Sequence, residues 1–332
     1  MKNKPHLIRL ILVLIALVTV ITACGSPAAP ASPTSTPTQA LVAETQSPSS
    51  PTPEQLTFTD GLDRQVTLGK PAQKIISIAP SNTEILYAVG AGSQVIGRDS
   101  FSDYPEDAKA LPDVGGGRGE LNTEQIVSLQ PDLVLAAQIN TAEQVKTLED
   151  LGLTVFYLAN PKDFDGLYTN LQTVARLTGR QTEAETLIAG LKERVRAVQE
   201  KVAPISDHPL VFYELDGTDP NAPYTSGPGT FIDLLISMAG AENLGSTLQA
   251  EWAQVSVEEL IKRNPDMILL GDYVYGGIKP EGVAARPGWN AIKAVKEGKV
   301  LPFDDNLVSR PGPRLVDGLE ALVKALHPDS AQ

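Results

Sequence analysis

The 332-residue chain has a single cysteine, Cys24, and three histidines, His6, His208 and His327. One thiol excludes an intrachain disulfide and a thiolate metal site, and scattered histidines build neither a zinc cluster nor a nucleophile–base triad. Aromatic residues are sparse, at 5%, with only two tryptophans, so an aromatic in a loop needs an explanation. Basic residues are also few. Against 40 Asp and Glu stand 27 Lys and Arg, a formal charge of −13 that becomes more negative if Lys2, Lys4 and Arg9 are removed with a leader. So acidic a body suits neither nucleic acid nor an anionic lipid surface. A phosphate-loop lysine motif and a zinc-protease helix are both missing. Acid pairs such as Asp304-Asp305 occur, but neighbouring acids in a Gly/Pro-rich stretch read as a turn. A secreted hydrolase working through cleft carboxylates is the enzymatic alternative that survives.

At the N-terminus, Lys2, Lys4 and Arg9 precede an apolar run from Leu10 to Ile21, short for a membrane span. The run ends in Ile21-Thr22-Ala23-Cys24, which resembles a bacterial lipobox. That resemblance implies a signal peptide over 1–23, lipidation at Cys24, and an exported protein anchored to a membrane and facing the periplasm or extracellular space. From Gly25 to Pro53 the chain is mostly Pro, Ser and Thr, with Glu44 the only charge. Such a segment cannot form a core and is expected to be a disordered tether, with a reach of roughly 30 Å.

In the body, Asn122 to Leu135 and Ser256 to Leu269 align without a gap. Each starts on an N-cap residue, runs a short helix with an acidic first turn, and passes through Pro-Asp into an apolar strand. One α-β unit used twice implies two similar lobes, and facing lobes make a crevice. Strands are predicted at Leu56 to Thr59, Gln65 to Leu68, Lys74 to Ala79, Val95-Ile96, Leu133 to Ala136 and Val155 to Leu158, then at Leu210 to Glu214, Met267 to Leu270 and Val300 to Phe303. The first two form a hairpin through Asp60-Gly61. Helical patterns between the others predict mostly parallel sheets covered on both faces. Between the lobes, Ala184, Leu187, Ile188, Leu191, Val195, Val198 and Val202 recur at spacings of three and four. This predicts one continuous helix of about twenty residues, stiffer than a pair of extended hinge strands.

Ile78-Ala79-Pro80-Ser81-Asn82-Thr83-Glu84-Ile85-Leu86, Phe101-Ser102-Asp103-Tyr104-Pro105 and Leu129-Gln130-Pro131-Asp132-Leu133-Val134 resemble the first lobe of the cobalamin and iron-siderophore class of periplasmic binding proteins. Tyr224-Thr225-Ser226-Gly227, Ala239-Gly240-Ala241-Glu242-Asn243 and Trp252-Ala253-Gln254-Val255-Ser256 resemble the second, in the family's order. The resemblance implies a class III architecture, two three-layer α/β lobes over 54–180 and 204–332 joined by a single rigid helix over 181–203. It implies a monomeric substrate-binding component of an ABC importer. Its partners would be a permease dimer with its ATPase and a metal-chelate ligand, corrinoid or ferric siderophore, with haem as an alternative and no intrinsic cofactor. A ligand sensor would share the same lobes.

Ligand contacts are expected from loops at strand ends. Phe101 and Tyr104 are expected to face Trp252 and Tyr224 as flat apolar walls. Gly117, in Gly115-Gly116-Gly117-Arg118-Gly119, would let backbone approach the ligand, and Arg118, Arg310 or Arg314 could meet an anionic group. Glu84 has two readings. With Ser81 three residues earlier it completes a capping box; by family resemblance it is a rim carboxylate that docks on a permease arginine. In the second lobe the family's matching glutamate is replaced by Ser237, and Asp233 is the substitute one turn earlier.

Overall fold

The computed structural model describes residues 55–117 and 119–328, so the leader, Cys24, the tether and Arg118 lie outside the described residues. An antiparallel hairpin, β1 (Leu56–Thr59) and β2 (Gln65–Leu68), opens the body. The first lobe continues with β3 (Ile75–Ser77), α1 (Pro80–Ala88), β4 (Val95–Arg98), α2 (Thr123–Ser128), β5 (Leu133–Ala137), α3 (Ala142–Asp150), β6 (Val155–Leu158) and α4 (Phe164–Thr178). After α5 (Gln181–Val202) come β7 (Leu210–Glu214), β8 (Tyr224–Ser226), α6 (Phe231–Met238), β9 (Glu242–Asn243), β10 (Trp252–Gln254), α7 (Val257–Arg263) and β11 (Met267–Leu270). Short helices α8 (Tyr273–Gly276), α9 (Pro280–Ala284) and α10 (Lys293–Lys296), strand β12 (Val300–Pro302) and α11 (Leu315–Leu326) complete the chain.

The two main sheets are all-parallel, in the orders β4-β3-β5-β6 and β12-β11-β7-β9. Both faces of each sheet are buried, which is why their strands read as unbroken apolar runs. Alternate residues divide between two cores. In the first sheet Ile75, Leu133 and Leu135 face one core, and Ile76, Val134 and Ala136 the other. In the second, Val211, Tyr213 and Leu269 face one way and Phe212, Ile268 and Leu270 the other. The core shared by the two sheets runs through α5, which contributes Ala184, Ile188, Leu191, Val195 and Val198. This helix packs on α4 of the first lobe and α11 of the second, and Arg194 reaches Asp317 and Glu320 of α11.

The repeat in sequence is a repeat in structure. Asn122 and Ser256 each accept a hydrogen bond from the third backbone N–H of their helix, α2 and α7. Gln130 and Asn264, equivalent positions before the proline, both take a left-handed backbone with φ of 52°. The aspartates that follow do the same work in both lobes. Asp132 accepts from Lys74 N–H at 2.6 Å and Asp266 from Leu210 N–H at 2.8 Å, each tying the unit to the start of a central strand.

Candidate functional site

The carboxyl ends of both parallel sheets meet at a cavity of about 570 Å³. From the first lobe it is lined by Ala79, Pro80 and Ser81 after β3, Phe101 after β4, Ala137 and Ile139 at and after β5, and Asn160 after β6; from the second by Tyr275, Asp305, Asn306, Ser309, Arg310 and Pro311. This is where open parallel sheets present their loops. The loops are held from behind. Asn140 Nδ2 donates to Ile78 O at 3.1 Å while its Oδ1 accepts from Ala137 N–H at 2.9 Å, leaving Ile139 projecting from the turn. Asp99 accepts the Phe101 N–H at 3.0 Å, and Ser102 hydrogen-bonds Thr83 on α1 at 2.7 Å. On the opposite wall the Tyr213 hydroxyl donates to Asp305 at 2.7 Å, and Tyr275 donates to Leu215 O. Burial raises the carboxyl pKa of both Asp99 and Asp305, against the hydrogen bonds they accept.

A second, smaller cavity of about 140 Å³ adjoins the first, sharing Asn160, Ser309 and Pro311. It contains Trp252, with Gln138, Lys162, Thr230 and Glu251 around it. The expected aromatic box is therefore divided. Phe101 faces the larger space and Trp252 the smaller, while Tyr224 lines neither and sits across the β8–β10 ribbon from Gln254. Trp252, expected in a loop, is the first residue of β10. Its base requires glycine: a Cβ on Gly227 would fall 2.0 Å from Ala250 O. Tyr104 leaves the wall altogether and stacks its ring 4.0 Å from the Arg314 guanidinium. The space beside Gly117 is filled by the Phe101 ring, so that glycine admits a side chain of the protein.

Glu84 departs most from expectation. No capping box forms, because Pro80 occupies the first helical position, Ala79 becomes the N-cap without a side-chain bond, and Ser81 falls inside the helix. Nor is Glu84 on a rim; it is 2% exposed. Arg314 grips both its carboxylate oxygens, with Nε donating at 2.9 Å, and Arg310 Nη1 approaches at 3.3 Å while also contacting Asp103 at 2.6 Å. Burial opposes the Arg314 charge, yet Glu84 holds its pKa above the ordinary guanidinium value. The loop Arg310-Pro311-Gly312-Pro313-Arg314 thus joins the second lobe to α1 of the first. Asp233 is also engaged: it is half-buried on α6 and accepts from Asn243 Nδ2 at 2.8 Å.

Sequence reasoning missed Ile139, Asn160, Asn306, Ser309 and Tyr275 as wall residues. Their signal was position, in the segments that follow predicted strands, and not residue type. The two described histidines line neither cavity: His208 Nδ1 lies 2.9 Å from Gly240 O and His327 Nε2 3.0 Å from Ala239 O.

Residues 75–307 match the family model for periplasmic binding protein. The chain belongs to that family. An uncharacterised ABC transporter substrate-binding lipoprotein of Bacillus subtilis is 35% identical over 280 residues, covering 83% of this chain and 86% of the relative. A vitamin B12-binding protein of Pectobacterium atrosepticum is 31% identical over 248 residues, covering 74% and 85%. Among solved structures, a periplasmic haem-binding protein of Roseiflexus sp. RS-1 in apo form superposes with a TM-score of 0.70 at 28% identity, over 79% of this chain and all of that one. The parallel α/β architecture is shared with that solved structure.

Proposed function

We propose that this protein is the extracytoplasmic substrate-binding lipoprotein of an ABC importer, holding a metal chelate between lobes 54–180 and 204–332 and passing it to a permease. The observation that carries this reading is the interlobe cavity at the carboxyl ends of two matched sheets, with an aromatic and aliphatic wall. Helix α5 (Gln181–Val202), continuous with the shared core, fits lobes that move little. Relatives named for vitamin B12 and haem support a flat macrocyclic or chelated ligand, with the metal supplied by the ligand. The family and the relatives named as binding proteins favour a binding role over a catalytic one. Cys24 would carry the lipid.

Docking on a two-fold permease needs one accessible acid on each lobe. Glu84 and Asp233 are engaged internally, whereas the repeated unit offers Glu124 and Glu258 at equivalent positions, both exposed and neither in an ion pair among the described residues. Uptake assays on Glu124→Lys and Glu258→Lys check this choice; each should depress uptake at unchanged ligand affinity, and normal uptake in both overturns it. The overall reading is tested by thermal shift with corrinoids, ferric siderophores and haem on the soluble body. A ligand at a hundred times its Kd adds about 2.7 kcal/mol. The absence of any shift across all three classes would refute it.

A further inference from the structure

The ion pairs that join the lobes also set the charge that a ligand meets. Among the described residues, the lining of the larger cavity carries one carboxyl and one guanidinium side chain, Asp305 and Arg310. Arg310 is not available as an unmatched cation. Its Nη1 contacts Glu84 and Asp103, and Asp99 and Asp305 act on it through space. Arg314 is clamped on both oxygens of Glu84, covered by Tyr104, and outside the lining. Among the described residues, Arg310 and Arg314 therefore answer to four carboxyl groups, Glu84, Asp99, Asp103 and Asp305, and Arg98 beside Asp99 is itself paired with Asp113. The smaller cavity is balanced, with Lys162 and Glu251 one of each sign.

What the walls offer instead is neutral. The Ser81 hydroxyl and the Asn160 amide have no hydrogen-bond partner among the described residues, and neither do Nε and Nη2 of Arg310, whose N–H groups can donate to a carbonyl oxygen. Phe101, Ile139 and Tyr275 supply apolar surface beside them. Resting on the reading of the chain as a chelate-binding protein, we propose that the cleft selects an uncharged or cationic chelate with an amide-bearing periphery and rejects polyanionic chelates, because the interlobe carboxylates already neutralise its arginines. A ligand carrying several carboxylates or catecholates would add negative charge where carboxylates already exceed cations, in a site partly shielded from water.

The test compares four probes on the soluble body at low salt: cyanocobalamin (uncharged overall), ferrioxamine B (cationic), haemin (two carboxylates) and ferric enterobactin (three negative charges). Wild type should bind one of the first two at least about tenfold more tightly than either of the last two. Asp103 lies outside the cavity lining with its side chain 54% exposed, so Asp103→Asn should fold normally. Removing that charge a few ångströms from Arg310 should narrow the preference by about tenfold, an effect that salt should shrink. Arg310→Gln should widen it. A wild-type preference for haemin or ferric enterobactin would overturn the charge selection while leaving the importer reading standing. An unchanged preference in both variants would overturn it as well, and failure of all four probes to bind would defeat both readings together.

Discussion

Replacing Glu84 by Gln separates a local role from a long-range one. Were the side chain a helix cap, Gln would serve as well and the protein would melt unchanged. In the structure the carboxylate is buried and answers two arginines, each of whose side chains is only slightly exposed. Breaking a buried ion pair by removing one partner costs about 3–5 kcal/mol. Two features bring the expectation below that range: Arg310 keeps Asp103, and Gln retains an oxygen that Arg314 can reach. A loss of about 2–3 kcal/mol should lower the melting temperature by roughly 4–10 °C in a body of this size. The assay is urea and thermal unfolding of the ligand-free soluble body, with the urea slope checked for constancy so that the change is one of stability. Arg314→Gln should be similarly harmful. The double variant should be less so than the sum, since it leaves no uncompensated bidentate partner. A melting temperature for Glu84→Gln within about 1 °C of wild type, or strict additivity in the cycle, would refute the buried-clasp account.

The two tryptophans should behave oppositely. Trp252→Ala, at a residue 49% exposed, should weaken ligand by about 1–3 kcal/mol in a calorimetric titration with little change in melting; Trp289→Ala, at a fully buried residue that donates Nε1 to Pro220 O, should cost about 3–5 kcal/mol of stability. Asp60 is fully buried in its side chain and accepts from Leu62, Arg64 and Tyr157 N–H groups as well as the Arg64 guanidinium; burial raises its pKa, but these donors together bring it below the usual carboxylate value. A lowered folded pKa gives stability that is present above the unfolded value and lost as pH falls through the folded one, so Asp60→Asn should flatten the acid limb of the melting-temperature profile and lower the neutral plateau. At the N-terminus, Cys24→Ala should abolish lipid labelling and leave a larger precursor on a gel.

The fold was largely legible because it rests on periodicity. The central strands announced themselves as short apolar runs between helical patterns, and β1, β2, β6, β7 and β11 lie at the predicted residues. The long helix, expected over 181–203, spans Gln181–Val202. Strands β8 and β10 were not read, because three residues closed by glycine contacts give no period to detect. At the site, local rules competed with distant partners and lost. Ser81 and Glu84 satisfy the spacing of a capping box, but Pro80 moves the helix start, and the true partner of Glu84 lies 230 residues away.

That outcome follows from what a cleft between lobes is made of. Each wall is assembled from single residues after separate strands, so residues that share a function share no sequence window; Ile139 and Tyr275 reach one cavity from β5 and β11 of different sheets. Searching for aromatics selected Tyr104, whose ring instead covers a guanidinium, and passed over Asn160, whose free amide lies in both cavities. Strand-end position was the better guide because the parallel sheet fixes it from periodicity alone. Charge could not be read that way at all. Whether Arg310 is an anion receptor or an interlobe tie depends on Glu84 and Asp103, which only the folded arrangement of the two lobes brings to it.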